Sequence, residues 1–182
     1  GAIPSGVILT RLFGGEDVRK AGSGNIGATN VYRVAGRRLG ILTLVGDCLK
    51  GVIPVLLAST LFELSVPHTA LVALAAFLGH CYPIYLGFKG GKGVATALGI
   101  FLVLSPWSVL CVLGIFVAVL FSWRFISLAS ITAAATVPFL VLLFERSSPL
   151  FVATLIIAGI VIWRHRDNIS RLRSGTENRF NL

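Results

Sequence analysis

The sequence predicts an all-α polytopic membrane protein, and three observations carry that expectation. Of its 182 residues, 55% are hydrophobic and only 13% charged, whereas soluble domains run at about 45–50% apolar and about 25% charged. The apolar residues fall in long, leucine-rich runs with no ten-residue alternation, which disfavours a β-barrel. The basic residues behind the net charge of +9 cluster in short polar stretches between those runs. That placement suits orientation in a bilayer and anionic lipid or substrate, and it argues against nucleic acid. No separate soluble domain fits, so residues 1–182 are read as a single integral membrane domain.

The elements follow in order. Ala2 to Phe13 is apolar but shorter than the roughly 20 residues a span needs, so the first helix is expected to be truncated. Gly14 to Leu39 reads as a polar loop, with a helix starting near Ala28. Segment two, about Leu39 to Leu64, carries Asp47 and Lys50 on one helical face, either as a local ion pair or as part of a site. Segment three, Thr69 to Phe88, holds His80, read as a hydrogen-bonded structural histidine, and Pro83, which should end the regular helix.

From Val94 to Trp123 the apolar stretch is too long for one upright helix. Ser105-Pro106 divides it into helices at about 94–104 and 107–122. Segment six, Ile126 to Phe144, contains Ser127, Ser130 and Thr132, hydroxyls that can bond a carbonyl one turn back. Segment seven, Leu150 to Trp163, runs into the basic tail RHRDNISRLRSGTENRF. Cys48, Cys81 and Cys111 lie inside apolar segments without metal-ligand spacing and are read as packing residues.

The sum is seven transmembrane helices with glycine-rich loops. Counting them places thirteen of the sixteen Lys and Arg residues on one side. The positive-inside rule makes that side the cytoplasm. On it are expected Lys20 to Arg33 (KAGSGNIGATNVYR), Phe88 to Thr96 (FKGGKGVAT) and Arg164 to Arg179. Glycines allow positive φ and close backbone approach, and successive N–H groups before a helix make an anion nest. Ser23, Asn25, Thr29, Asn30, Asn168 and Thr176 add hydroxyls and amides, while arginine and lysine add charge. Such a site suits a ligand with more than one phosphate. The chain has no carboxylate cluster for Mg²⁺, no Walker-type loop and no paired histidines for zinc.

GSGNIGATNVYR at 22–33, GDCLKG at 46–51, GHCYPIYLGFKGGKGVAT at 79–96 and HRDNISRLRSGTENRF at 165–180 resemble the bacterial membrane acyl-phosphate:glycerol-3-phosphate acyltransferases. The resemblance spans nearly the whole chain in order. It implies seven helices in the bacterial cytoplasmic membrane, with the active site facing the cytoplasm and no cofactor or metal. It also implies transfer of a fatty acyl group from acyl phosphate to the 1-hydroxyl of glycerol 3-phosphate, giving lysophosphatidic acid and phosphate.

By matching motif, Ser23, Gly24, Asn25 and Gly27 would take the acyl-phosphate head, with Thr29 and Asn30 in the same loop and Asn168 and Ser130 assisting. Arg33, Lys89 and Lys92, with Gly91 between the lysines, would take glycerol 3-phosphate. His165 would orient a phosphate or move a proton, making Ser23, Asn25, His165 and Asn168 the catalytic candidates. The competing class is a transporter or binding protein for a phosphate-bearing anion, since basic loops and broken helices also mark transporter sites. The lack of an evident inverted repeat weakens it.

Overall fold

The computed structural model describes residues 1–13 and 15–180. Gly14, the first residue of the predicted polar loop, lies outside the described residues. Among those described the regular structure is helical: α1 (Ser5–Leu12), α2 (Ala28–Leu56), α3 (Val66–Cys81), α4 (Val94–Leu104), α5 (Pro106–Trp123), α6 (Ile126–Glu145), α7 (Ser148–Arg164) and α8 (Arg166–Arg173). Four helical segments are long and apolar enough to cross a membrane, and α7 with α8 makes a fifth if that bent pair counts as one span. α4 is apolar but shorter.

The chain divides into two compact units, Gly1–Val103 and Leu104–Leu182. In the first, α2 packs on α1 and α3. α4 meets α2 at glycine: a Cβ on Gly51 would overlap the Thr96 carbonyl, and one on Gly99 the Cys48 carbonyl. Small residues let helix backbones close in where hydrocarbon offers no hydrophobic drive between helices. In the second unit α6 packs on α5 and α7. Its buried positions include Ala129, Ser130, Ala133 and Ala134, and those of α7 include Ala153 and Ala158. Cys81 is buried and Cys48 half-buried, but Cys111 is exposed, so it does not serve the predicted packing role.

Proline marks several helix ends. Pro106 stands at the start of α5, and Ser105 leaves helical geometry at φ −156°, ψ 72°. Proline lacks the N–H that would continue the preceding helix and fits a first turn. Pro83 follows α3 as predicted, with Tyr82 at φ −134°, ψ 58°. The helix expected near Ala28 starts there and runs on past Leu39 into the second segment, so the polar loop ends before its expected boundary. Gly36, at φ 86°, ψ 172°, then interrupts α2, splitting a polar first section from the apolar span. Beyond Leu56 the helix widens into a π turn, Leu57–Leu61, where the Thr60 hydroxyl donates to the Leu56 carbonyl at 2.7 Å. The basic tail also holds more structure than foreseen: the axis bends 53° between α7 and α8.

Candidate functional site

The first glycine loop is tied together by one side chain. Asn30, 2% exposed, accepts from the Ser23 N–H at 2.8 Å through Oδ1. Its Nδ2 donates to the carbonyls of Val18 at 2.9 Å, Ala21 at 3.2 Å and Asn25 at 2.8 Å. Gly22 and Gly24 have φ of 58° and 68°, a region that strains any residue with a Cβ, and a Cβ on Gly22 would overlap Asn30 Oδ1. Asn25 Oδ1 accepts from the Gly27 N–H at 2.9 Å, an Asx turn leading into α2.

No side chain caps α2 at Gly27, and the Asn30 and Val31 N–H groups bond the Gly27 carbonyl, each at 3.1 Å, so those of Ala28 and Thr29 face solvent or a ligand. Ser23 and Gly24 are exposed beside this end, Thr29 is half-buried in the first turn, and Arg33 is exposed one turn further on. Below the loop, Val18, Ile26, Val31 and Val7 form a buried apolar cluster. Just before it, Arg19 hydrogen-bonds the half-buried Asp17 and holds its carboxyl well below the usual carboxylate range.

The second glycine loop wraps the C-terminal end of α3. After the short turn Ile84–Leu86, Gly90 and Gly91 donate their N–H groups to the carbonyls of Cys81 and His80, each at 3.2 Å. The fit excludes side chains. A Cβ on Gly90 would overlap the His80 carbonyl, one on Gly91 the His80 imidazole, and one on Gly93 the Phe77 ring. Lys89 is exposed and Lys92 half-buried. Leu86 packs on the cluster beneath the first loop, so the first unit brings its two glycine loops onto common apolar ground.

In the second unit the tail folds back. Glu177 accepts from Asn168 Nδ2 at 2.6 Å and Ser127 Oγ at 2.7 Å through Oε1, and from Arg171 Nε at 2.7 Å through Oε2. Burial pushes its carboxyl up, but the hydrogen bonds from Asn168, Ser127 and Arg171 outweigh that and hold it below the ordinary 4.5. His165, 3% exposed, donates from Nδ1 to the Val161 carbonyl at 2.8 Å, which fixes a proton on that nitrogen. Ser130 Oγ donates to the Ile126 carbonyl at 2.8 Å, the backbone bond open to any helical serine.

Thus Asn168 and His165 share the α7–α8 bend, and Ser127 rather than Ser130 reaches the tail. Sequence reasoning missed Glu177. Its one available mark was to be, with Asp167, one of only two carboxylates in a basic tail.

These features define a class: a multi-pass helical membrane protein with glycine-shaped, cation-flanked loops. Residues 1–175 match the family model for glycerol-3-phosphate acyltransferase. A glycerol-3-phosphate acyltransferase of Syntrophotalea carbinolica is 60% identical over 180 residues, covering 99% of this chain and 92% of its own length. One of Geotalea daltonii has the same identity and coverage. Two crystal structures of PlsY (YgiH), an integral membrane glycerol 3-phosphate acyltransferase, superpose with TM-scores of 0.91. The glycerol 3-phosphate form is 38% identical and covers 99% of this chain and 91% of its own. The lysophosphatidic acid form is 39% identical, covering 99% and 89%. The chain belongs to the glycerol-3-phosphate acyltransferase family.

Proposed function

We propose that this protein transfers a fatty acyl group from an acyl phosphate to the 1-hydroxyl of glycerol 3-phosphate, forming lysophosphatidic acid and inorganic phosphate. The observation that carries the reading is the first glycine loop, whose left-handed glycines and Asn30 staple hold the exposed Ser23 and Gly24 beside the uncapped start of α2. It works as one integral membrane domain of seven spans in the bacterial cytoplasmic membrane. The positive-inside rule puts its Lys- and Arg-rich loops, and the chemistry, on the cytoplasmic side.

An acyl phosphate is a mixed anhydride with a good leaving group, so no protein nucleophile is required. The glycerol hydroxyl oxygen attacks the acyl carbon, the bond from that carbon to the phosphate oxygen breaks, and phosphate leaves with the electron pair. The hydroxyl proton passes to a substrate phosphate. The protein's contribution is to orient two anions and to stabilise charge growing on the leaving phosphate.

Ser23, Gly24, Asn25, Gly27 and Thr29 receive the acyl-phosphate head; in the second unit the Asn168 amide, oriented by Glu177, is a phosphate-binding group. Arg33, Lys89, Gly91 and Lys92 receive glycerol 3-phosphate. His165 holds a phosphate oxygen or carries a proton. Asn30 and Ser130 act as positioning residues, because their polar atoms are engaged with the backbone.

Purified protein given palmitoyl phosphate and glycerol 3-phosphate should release phosphate and form lysophosphatidic acid at matching rates. A folded preparation that binds glycerol 3-phosphate without either product would favour the transport or binding class. A trapped acyl-Ser23 enzyme under single turnover would overturn direct attack.

A further inference from the structure

Asp47, Lys50 and His80 form a buried polar cluster that the proposed chemistry does not use. They are 2%, 8% and 3% exposed. Lys50 Nζ lies 2.8 Å from Asp47 Oδ1, and His80 Nδ1 lies 3.8 Å from the same oxygen. Lys50 also donates to the Ile3 carbonyl at 2.8 Å, while the Thr96 hydroxyl donates to the Asp47 carbonyl at 2.9 Å. The chain entering α1, α2, α3 and α4 therefore meets in one polar knot.

A buried ion pair is a weak source of stability, since apolar side chains of similar volume do as well or better. Ionisable groups inside a membrane span are generally kept for function. The knot has one neighbour with a function to serve. The Nε2 edge of His80 lies so close to Gly91 that a Cβ there would overlap it, and the Gly91 N–H donates to the His80 carbonyl at 3.2 Å. His80 thus borders the ion pair with the Nδ1 edge of its ring and the second glycine loop with the Nε2 edge.

We propose that Asp47, Lys50 and His80 are positioning residues that set the shape of the 88–93 loop and, through it, the glycerol 3-phosphate subsite. The subsite part rests on the reading that Lys89 and Lys92 hold that phosphate. The Asp47–Lys50 pair seats the imidazole between α2 and α3, and the far edge of the ring bounds Gly91. The loop N–H groups and the Lys92 ammonium then keep one register.

Hydrogen–deuterium exchange and steady-state kinetics on the full chain in detergent test this with His80→Asn, His80→Gln and the paired replacement Asp47→Leu/Lys50→Met. The paired replacement removes both charges together and leaves neither buried alone. His80→Asn should speed exchange of the 88–93 amides on the order of tenfold with the helices unchanged. It should also raise KM for glycerol 3-phosphate several-fold with little change in kcat. His80→Gln, which restores reach toward Gly91, should recover most of both effects, and the paired replacement should reproduce the His80→Asn pattern. Wild-type loop exchange in folded His80→Asn or in the folded paired variant overturns the proposal. Faster loop exchange with an unchanged KM supports the positioning role and overturns the placement of glycerol 3-phosphate at Lys89 and Lys92.

Discussion

Arg33 is exposed on the first section of α2, one helical turn beyond Thr29. A charge-assisted hydrogen bond to phosphate contributes about 1.5–3 kcal/mol. Arg33→Ala should therefore raise KM for glycerol 3-phosphate by roughly tenfold or more, read from initial rates at saturating acyl phosphate. An unchanged KM would remove Arg33 from that subsite.

Glu177 makes a different prediction, of pH dependence. Its folded carboxyl is held below the ordinary 4.5, so its contribution to stability is fully present above that value and is lost as pH falls through the lowered folded value. Thermal midpoints in detergent should show wild type ahead of Glu177→Gln near neutrality, with the gap closing under acid. A gap that does not change with pH would show that the charge of Glu177 is immaterial. Neither residue was equally legible. Arg33 sits inside a local motif, whereas Glu177 matters because the chain turns at Gly175, φ 73°, and returns to Ser127, 50 positions away in sequence.

At the scale of elements, the first loop depends on glycine and asparagine together. Gly22→Ala places a Cβ in left-handed backbone, about 1–2 kcal/mol of strain, and against Asn30 Oδ1. Asn30→Ala leaves four backbone groups without their partner, each bond contributing about 1 kcal/mol. Both variants should unfold several degrees below wild type and lose phosphate release, whereas Ser23→Ala should keep its melting temperature while losing rate. Full activity of Asn30→Ala would refute the staple.

Helix ends written by proline were readable in advance. Ser105-Pro106 separates α4 and α5 because a missing N–H acts locally. The break at Gly36 was not readable, since an isolated glycine in a helical pattern is usually tolerated and only the backbone φ of 86° reveals it. The bend at His165 was hidden for a related reason. RHRDNISRLR reads as a charged tail by composition, and its helix becomes apparent only with the backbone.

For the molecule as a whole, the arrangement of charge predicts an orientation. With Cys48, Cys81 and Cys111 replaced by alanine, a thiol introduced by Arg146→Cys should react with an impermeant maleimide added to intact cells. One introduced by Arg38→Cys should react only after permeabilisation. The reverse pattern would invert the topology and place the basic loops outside. The helical class and the bilayer habitat were legible because hydropathy is additive along a chain, but which short helices complete the set of spans depends on packing that composition does not encode.

Gly36 has a mechanical consequence. Because α2 is interrupted there, the section bearing Arg33 leaves the axis of the span, and the two sections close on each other where a Cβ at Gly40 would overlap Tyr32. Spans accommodate bilayers of different thickness by tilting. A corner packed this closely moves as one piece with the span when it tilts.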